Sequence, residues 1–546
     1  MSNLSTYQAD VGPVDVAIIG AGINGLAIAR EAAAIGLSVA LLDRADIGSA
    51  TSAISTRLIH GGLKYLERFE LNLVHESIRE RKLLLREAPH LVKPYSMLIP
   101  FSKKQSRPGW MLACGLMLHD VLAAGKKLPF NSILLKSRLK REWPTLAAAG
   151  LSWGGLFQDA HVPLTERLNI ELARDAAAHG AIILTHAPVV GLVRSGGNIT
   201  GVRYRDRITA NEKSVAARLV VNAAGPWVDS VLDLAGEHER KIGPTKGSHL
   251  VIDTFPGAPK TCIFFESPVD SRPMFVLPWQ GRYMIGTTDL PYSGDIDHVA
   301  IDDDEIDYLL GAVNDLIPTA RLTPEDVLWS YSGVRPLPYV GDLDDPAKVT
   351  RDHQIIEHAG NETGLYSIVG GKLTTHRALG EQVARKLARR LGRSKRPSPT
   401  RMMRFPGAPD GPWESYRTEF IQSSKLSANV AARLVDTYGT AASTIERLAT
   451  DVPELAEIVD DETSAIAAEI IYAVRCEGAV TLEDILLRRT TIALNRDVGL
   501  NAASKAADVL VAEGEWTPDY AQEQRAAYVA SMARFRPRPL QNQIRE

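Results

Sequence analysis

Six residues near the N-terminus, Gly20-Ala21-Gly22-Ile23-Asn24-Gly25, follow the apolar run Val14–Ile19 and open a helix-like stretch that closes at Gly36; a second apolar run, 37–42, ends on Asp43. Strand, glycine turn, helix, strand and terminal carboxylate is the order of a dinucleotide-binding βαβ unit. Gly20 suits the tight turn, Gly22 lets backbone amides approach a pyrophosphate, and Gly25 lets the helix lie close to the strand. The helix N-terminus offers its positive dipole end to phosphate, and Asp43 is placed to accept from a ribose hydroxyl. Two later segments have the same texture. In 219–228 an apolar strand runs through Asn222 into Ala224, Gly225 and Trp227, and in 367–375 another runs into Gly371, Lys372, Leu373 and Thr374. Small residues at such turns let backbone pass close to a cofactor. A helix starting near Thr374, with Lys372 beside it, could bring positive charge to the pyrimidine edge of a flavin. The first motif alone leaves a nicotinamide occupant open. No second GxGxxG provides for a separate nicotinamide donor, and the three segments together favour a flavin.

These segments must be positioned by a chain of 546 residues, too long for one hydrophobic core, so two or three domains are expected. It is 45% hydrophobic and 23% charged with net charge −3, which gives no sign of a nucleic-acid binder. Three scattered cysteines without a CxxC pair suggest neither a disulfide framework nor a zinc site, and suit a reducing compartment. Residues 1–13 lack signal-peptide character, and no stretch approaches the roughly 18 uncharged apolar residues needed to span a bilayer. The expectation is a cytoplasmic protein, at most attached to the inner face of the cell membrane. Between 100 and 141, nine basic residues stand against one acid, Asp120, around the apolar run 110–118. Such a segment fits either an anionic membrane surface or a buried helix with basic loops.

The pattern predicts a helix over 69–88, another over 165–179, strands at 181–185, 189–193, 199–204 and 217–222, then short β-like runs at 248–253, 274–278, 283–285 and 327–331. A strand at 365–369 and a helix over 374–391 follow. The expected fold is α/β: a Rossmann-like FAD-binding domain, an antiparallel-sheet substrate or cap domain and a C-terminal all-helical domain. The boundaries read as FAD-binding βαβ segment 14–95, basic apolar insert 96–150, FAD-binding domain continued 151–245, β-rich substrate domain 246–345, FAD-binding closing segment 346–392, linker 393–412 and helical domain 413–546.

Several stretches, among them GAGINGLAIAREAAAIGLSVALLDR (20–44), ATSAISTRLIHGGLKYLERFELNLVHESIRER (50–81), VNAAGPWVDSV (221–231), KGSHLV (246–251), IGTTDLPYSGD (285–295), WSYSGVRPLP (329–338), TRDH (350–353), GGKLTTHRALGE (370–381) and VTLEDILLRRT (480–490), resemble the FAD-dependent, quinone-linked aerobic glycerol-3-phosphate dehydrogenases. That family lies within the D-amino-acid-oxidase-like flavoproteins, and the resemblance runs over about 14–500. It implies FAD, oxidation of sn-glycerol 3-phosphate to dihydroxyacetone phosphate, and electron delivery to a membrane quinone.

The resemblance also implies site residues. Around FAD it adds Thr51, Ser52, Ser55, Thr56, Leu58, His60, Gly61, Gly62 and Val190 to those above. For substrate it points to Arg335 as a phosphate clamp, with Lys64, Tyr65, Asp289 and Arg351; Lys372 would hold a substrate hydroxyl or the flavin. A neutral imidazole suits proton acceptance near pH 7, so His249 is the candidate base, His60 its competitor, and His249, Arg335 and Lys372 are the catalytic set. Lys64 stands where the family commonly has arginine, keeping the charge but losing the planar fork. The other readings are an oxygen-using glycerol-3-phosphate oxidase, an amine or amino-acid oxidase of the same fold, and a non-catalytic flavin- or nucleotide-binding sensor. No metal is expected, and a homodimer stays open.

Overall fold

The computed structural model describes residues 4–7, 10–62, 70–101, 108–123, 128–151, 153–341, 352–394 and 396–535. Among them, two large sheets and a helical domain make up the protein. The first sheet runs Gln354–Glu357 (β17), Leu365–Val369 (β18), Glu212–Asn222 (β10), Val14–Ile19 (β1), Val39–Leu42 (β2) and Ile182–Leu184 (β7), with Val189–Ser195 (β8) and Asn198–Arg205 (β9) attached through β10. Strands β18, β10, β1, β2 and β7 are parallel. Every residue of β1 and β2 is buried, the unbroken apolar pattern of strands covered on both faces. One covering helix is α1 (Ile23–Ala34). It lies so close to Gly380 of a later helix, His376–Arg390, that a Cβ on Gly380 would sit 2.4 Å from the Ala27 carbonyl.

The second sheet runs Leu290–Pro291 (β15), Ile242–Ile252 (β11), Arg282–Gly286 (β14), Pro273–Trp279 (β13), Cys262–Glu266 (β12), Lys93–Pro100 (β4), Trp153–His161 (β6) and Leu58–Ile59 (β3). Val327–Pro338 (β16) pairs with β11, and Ser132–Leu135 (β5) with β6. All its pairings are antiparallel except β12 with β4. The sequence reading placed residues 93–95 and 151–161 with the FAD-binding segments. Hydrogen bonding instead puts β4 and β6 in the second sheet, because they pair with each other across the insert over eight successive residues. The short β3 joins the same sheet, so the segment after the glycine turn passes from one sheet to the other beneath the site.

Beyond 413 the chain is helical, as its Ala- and Leu-rich texture suggests, with Trp413–Ser423, Ala428–Tyr438, Ala442–Asp451, Ala467–Arg475, Leu500–Ala512 and Pro518–Met532 as its main helices. The stretch leading to it is packed rather than free. Phe405 is buried, Thr400 and Ser398 donate to Glu31, and Arg401 bonds Glu381 through two donors at 2.9 and 2.7 Å.

Three histidines in this architecture, His161, His249 and His376, are buried and lowered to about 3, 3 and 4, burial being the main cause. Unfolded, the same rings take up protons below about 6.5. Folding stability is therefore full above that value and declines as pH falls towards 4, by about 1.4 kcal/mol per unit for each ring. Glu87, raised to about 7 by burial, opposes this, as do Asp43 and Glu76, raised by burial, and His186, which burial would lower but its bond to Asp484 raises. His90, lowered by burial, is a fourth ring on the other side, and the four rings are expected to outweigh them. The urea midpoint is expected to be lower at pH 5 than at pH 7.5; an equal or higher midpoint at pH 5 contradicts this account.

Candidate functional site

A single cavity of about 1500 Å³ runs from the β1–α1 turn to the face of the second sheet. This exceeds the roughly 300–1,000 Å³ of ordinary small-ligand pockets and leaves room for an extended dinucleotide with a small substrate at its end.

At the first-sheet end the wall is mostly backbone. Gly20 has φ +107°, and a Cβ there would lie 2.5 Å from the Ala223 carbonyl; one on Gly25 would lie 1.8 Å from the Gly20 carbonyl. These contacts bring β1, the 223–225 turn and α1 together at one point. Gly22 caps α1 without a side-chain bond, and the Ile23 amide donates to Ser52 Oγ at 2.8 Å. Asp43 accepts from the Ala21 amide at 2.6 Å and the Ala45 amide at 2.8 Å. Burial raises its pKa, and these two bonds only partly oppose that. The 370–375 turn closes the other side. Gly370 donates to Pro336, Asn24 Nδ2 donates to the Gly370 carbonyl at 3.0 Å, and Thr374 Oγ1 accepts from the His60 amide at 3.0 Å. Asn24 Oδ1 is buried with no hydrogen-bond partner. A backbone-lined trough with a helix N-terminus at its centre and an unmet acceptor beside it fits a dinucleotide. Trp227, with Arg44 stacked 4.1 Å above its ring and Asp297 bonded to both, borders its outer end.

At the second-sheet end, alternation along antiparallel strands puts His249, Tyr331, Gly333 and Arg335 on the cavity face and Ser248 and Ser332 on the other. Two glycines make the room. A Cβ on Gly286, the partner of His249 in β14, would lie 2.2 Å from His249 Cδ2, and one on Gly247 would lie 2.2 Å from Arg335 Nη2. Arg335 donates to Asp289 Oδ1 at 3.0 Å, Thr287 Oγ1 at 2.9 Å and the Thr288 carbonyl at 3.2 Å. Behind that loop lies buried Glu305. It accepts from the Ser248 hydroxyl at 2.8 Å, the Thr288 hydroxyl at 2.6 Å and Lys246 at 2.8 Å. His249 stacks on Tyr331 at 4.8 Å and shares a hydrogen bond of 2.9 Å between Nε2 and Thr56 Oγ1. Burial, then the charges of Arg335 and Arg57, lower it to about 3, so the ring is neutral at working pH. His60, with 43% of its side chain exposed, has Nδ1 3.6 Å from the carboxylate of fully buried Asp159. Burial would raise Asp159, but Arg81, bonded at 2.6 Å, and His60 hold it below the ordinary carboxylate range.

Of the residues singled out from sequence, the cavity wall carries Gly20, Gly22, Asn24, Asp43, Thr51, Ser52, Ser55, Thr56, Leu58, His60, Gly62, Ala224, Gly225, Trp227, His249, Asp289, Arg335, Gly371, Lys372, Leu373 and Thr374. Three do not line it. Gly25 acts one layer back, where α1 crosses β1. Gly61 is buried with its amide on Asp159 at 2.9 Å, and a Cβ there would strike Arg81. Val190 alternates away from the wall, which Pro188 and Val189 provide. Lys64, Tyr65 and Arg351 lie outside the described residues. Sequence reasoning missed Thr287, Arg272 and Asp159. Thr287 sits within IGTTD beside Asp289 and could have been taken with it. Arg272 and Asp159 lie in segments with no motif, and only pairing across the second sheet brings them to the cavity.

Comparison with known proteins agrees with this geometry. Residues 15–386 match the FAD dependent oxidoreductase family, and 398–521 match the C-terminal domain of alpha-glycerophosphate oxidase. A glycerol-3-phosphate dehydrogenase of Synechocystis sp. is 41% identical over 94% of this chain and 95% of its own. One from Pseudomonas aeruginosa is 36% identical over 90% and 95%. The crystal structure of the glycerol-3-phosphate dehydrogenase from Bacillus halodurans complexed with FAD, 26% identical, superposes with a TM-score of 0.80 over 96% of this chain and 95% of that one. With a dinucleotide trough, a fold and a full-length sequence match in agreement, the chain belongs to the family of FAD-dependent glycerol-3-phosphate dehydrogenases, and its cofactor is FAD.

Proposed function

We propose that the protein oxidises sn-glycerol 3-phosphate to dihydroxyacetone phosphate and passes the electrons to a membrane quinone. The observation that carries the substrate reading is the Arg335 guanidinium, held by three successive residues on the cavity face beside a neutral histidine. A fixed planar fork suits a phosphate dianion. Bound FAD supplies the two-electron acceptor for the hydride from the C2 carbon. Gly20, Gly22 and the α1 N-terminus would hold its pyrophosphate, Asp43 its ribose, and the 370–375 turn with Lys372 its pyrimidine edge. The C2 hydroxyl proton goes to the His249 imidazole. In the free enzyme that ring is a weak base, partly because Arg335 is charged nearby. A phosphate dianion on Arg335 cancels that charge and makes the ring more basic once substrate is in place.

The acceptor reading rests on the helix Gly109–Leu122 and the segment 128–135 after it. Trp110, Val121, Phe130 and Leu135 are 65%, 71%, 76% and 66% exposed, while Met111, Leu112, Cys114, Gly115 and Leu118 of the same helix line the cavity. One short helix thus joins an exposed apolar surface to the site, as a lipid-soluble acceptor requires. Among the described residues no helix is long and apolar enough to cross a membrane, so the contact would be peripheral.

Adding glycerol 3-phosphate anaerobically to the purified protein should bleach its flavin absorbance. A colourless preparation reconstituted only by NAD overturns the reading. A quinone analogue should then restore the colour faster than oxygen does, whereas rapid peroxide formation would make the enzyme an oxidase. Arg335→Met should raise KM for glycerol 3-phosphate by about 10- to 100-fold, the size of a lost charge-assisted pair, and erase the preference over unphosphorylated glycerol.

His249→Gln should lower kcat by about 10²–10⁴ without releasing FAD. The kcat/KM profile reports free enzyme and free substrate and carries the second ionisation of the phosphate at about pH 6. The base is therefore read from kcat, which reports the bound complex, and the acid limb there should disappear in His249→Gln. An acid limb in kcat that disappears in His60→Gln instead transfers the base to His60. Sedimentation with anionic liposomes should be lost in a Trp110→Ser/Val121→Ser/Phe130→Ser variant; undiminished binding removes the 109–122 helix from the membrane reading.

A further inference from the structure

The C-terminal helical domain reaches the FAD cavity. Thr481, Glu483, Asp484, Arg488, Gln524 and Tyr528 lie on its wall. The contact is made at the loop that follows β2. Arg488 Nε donates to Asp46 Oδ2 at 2.5 Å and Arg489 Nη2 to Asp46 Oδ1 at 2.8 Å, with all three side chains buried. Two neighbouring arginines reach one carboxylate from a wide-turned helix, Asp484–Arg489. Arg488 also bonds Asp484 at 2.6 Å and Glu483 at 2.9 Å. Asp484 meets His186 Nε2 at 2.9 Å, and the His186 amide donates to the Ala45 carbonyl at 2.8 Å. Asp46, His186 and Asp484 together have the composition of a metal site, but the arginines already occupy both carboxylates.

The loop is therefore gripped at two successive residues, Ala45 and Asp46. At its other end Asp43 accepts from Ala21 in the glycine turn and from Ala45 itself. Residues 43–46 form a strut with the cofactor turn at one end and the helical domain at the other. We propose that docking of the C-terminal domain sets FAD affinity through this strut, with Arg488 and Arg489 holding Asp46 so that Asp43 keeps its place beside the ribose. A buried carboxylate cannot leave its guanidinium partners without stranding charge, so loop position and docking are coupled. The coupling is reciprocal: whatever docking does for FAD, FAD does for docking. The inference rests on the reading of Asp43 as the ribose contact.

Titration of the full-length apoprotein with FAD, followed by quenching of flavin fluorescence, tests this. Asp46→Asn and Arg488→Lys should each weaken FAD by about five- to a hundredfold, the usual size of coupling between sites. Arg282→Met, which breaks a pair with Glu462 where the same domain meets the second sheet, should leave FAD affinity unchanged. Saturating FAD should slow proteolysis of the 396–412 connection in the wild-type protein, and should do so less in Asp46→Asn. If circular dichroism shows that Asp46→Asn does not fold, Arg488→Lys decides the question. Asp43→Asn separates the two readings. Loss of affinity there, with wild-type affinity in Asp46→Asn and Arg488→Lys, overturns the coupling and leaves the ribose reading intact. Wild-type affinity in Asp43→Asn overturns both. Equal weakening by Arg282→Met would replace the strut with general domain stability.

Discussion

Arg335, the proposed phosphate clamp, has to be held in place before a phosphate arrives, and much of the second sheet is organised around that guanidinium. Arg335 is partly buried, so its donors need acceptors in the resting protein. Thr287, Thr288 and Asp289 supply them from one short loop. That loop is fixed from behind, because the Thr288 hydroxyl donates to Glu305 while accepting from the Ser248 amide at 2.9 Å. Ser248 is the neighbour of His249 in β11. Alternation then sends the two side chains to opposite faces, one into the Glu305 network and the other into the cavity. Gly247 and Gly286 follow from the same arrangement, since each leaves its Cβ space to a working side chain. One carboxylate behind the sheet thus helps fix the loop that orients Arg335 and the strand that carries His249.

The cofactor half of the cavity solves a different problem. A pyrophosphate can be met by amides and a helix end without a dedicated cation. The first sheet supplies those by bringing three strand–helix turns to a common edge, at Gly20, Ala223 and Gly370. Their approach is limited by backbone, with Gly20 against Ala223 and Gly25 against Gly20. The two halves are tied by bonds between distant segments, such as His60 to Thr374 and Gly370 to Pro336. The distance between trough and clamp is therefore a property of the fold.

The parts legible in the sequence were those with a local mechanism. The β1–α1 turn, the parallel strand patterns and the helical texture beyond 413 each follow from short-range rules, and the structure places them accordingly. Arg335, His249 and Asp289 came into view through family resemblance, because nothing local distinguishes them from other polar residues in β-strands and the loops between them. The Asp159–Arg81 pair, the Glu305 network and the Asp46–Arg488–Arg489 cluster were not legible. Their partners are far apart in the chain, and their meaning arises only from burial together. Gly61 was read as a cofactor contact but makes room for Arg81, and Val190 was one residue out of phase with the wall. In β4 and β6 the error was of pairing: alternation identifies a strand without naming the sheet it joins.

In the proposed mechanism, the charges at the substrate end give the site an order of events. Without substrate, burial and the fields of Arg335 and Arg57 hold His249 low, so the ring stays neutral and does not take up a second proton. It therefore adds no positive charge that would draw in unrelated anions. A phosphate on Arg335 changes only one of the three causes, since burial and Arg57 remain. On the proposed roles, the ring becomes a better acceptor once the anion that should accompany the alcohol is in place. Glycerol itself could fill the same space and present the same hydroxyl, but it would leave Arg335 charged and His249 depressed. Discrimination between the two alcohols can then arise in the proton-transfer step as well as in binding, from one guanidinium acting on one imidazole.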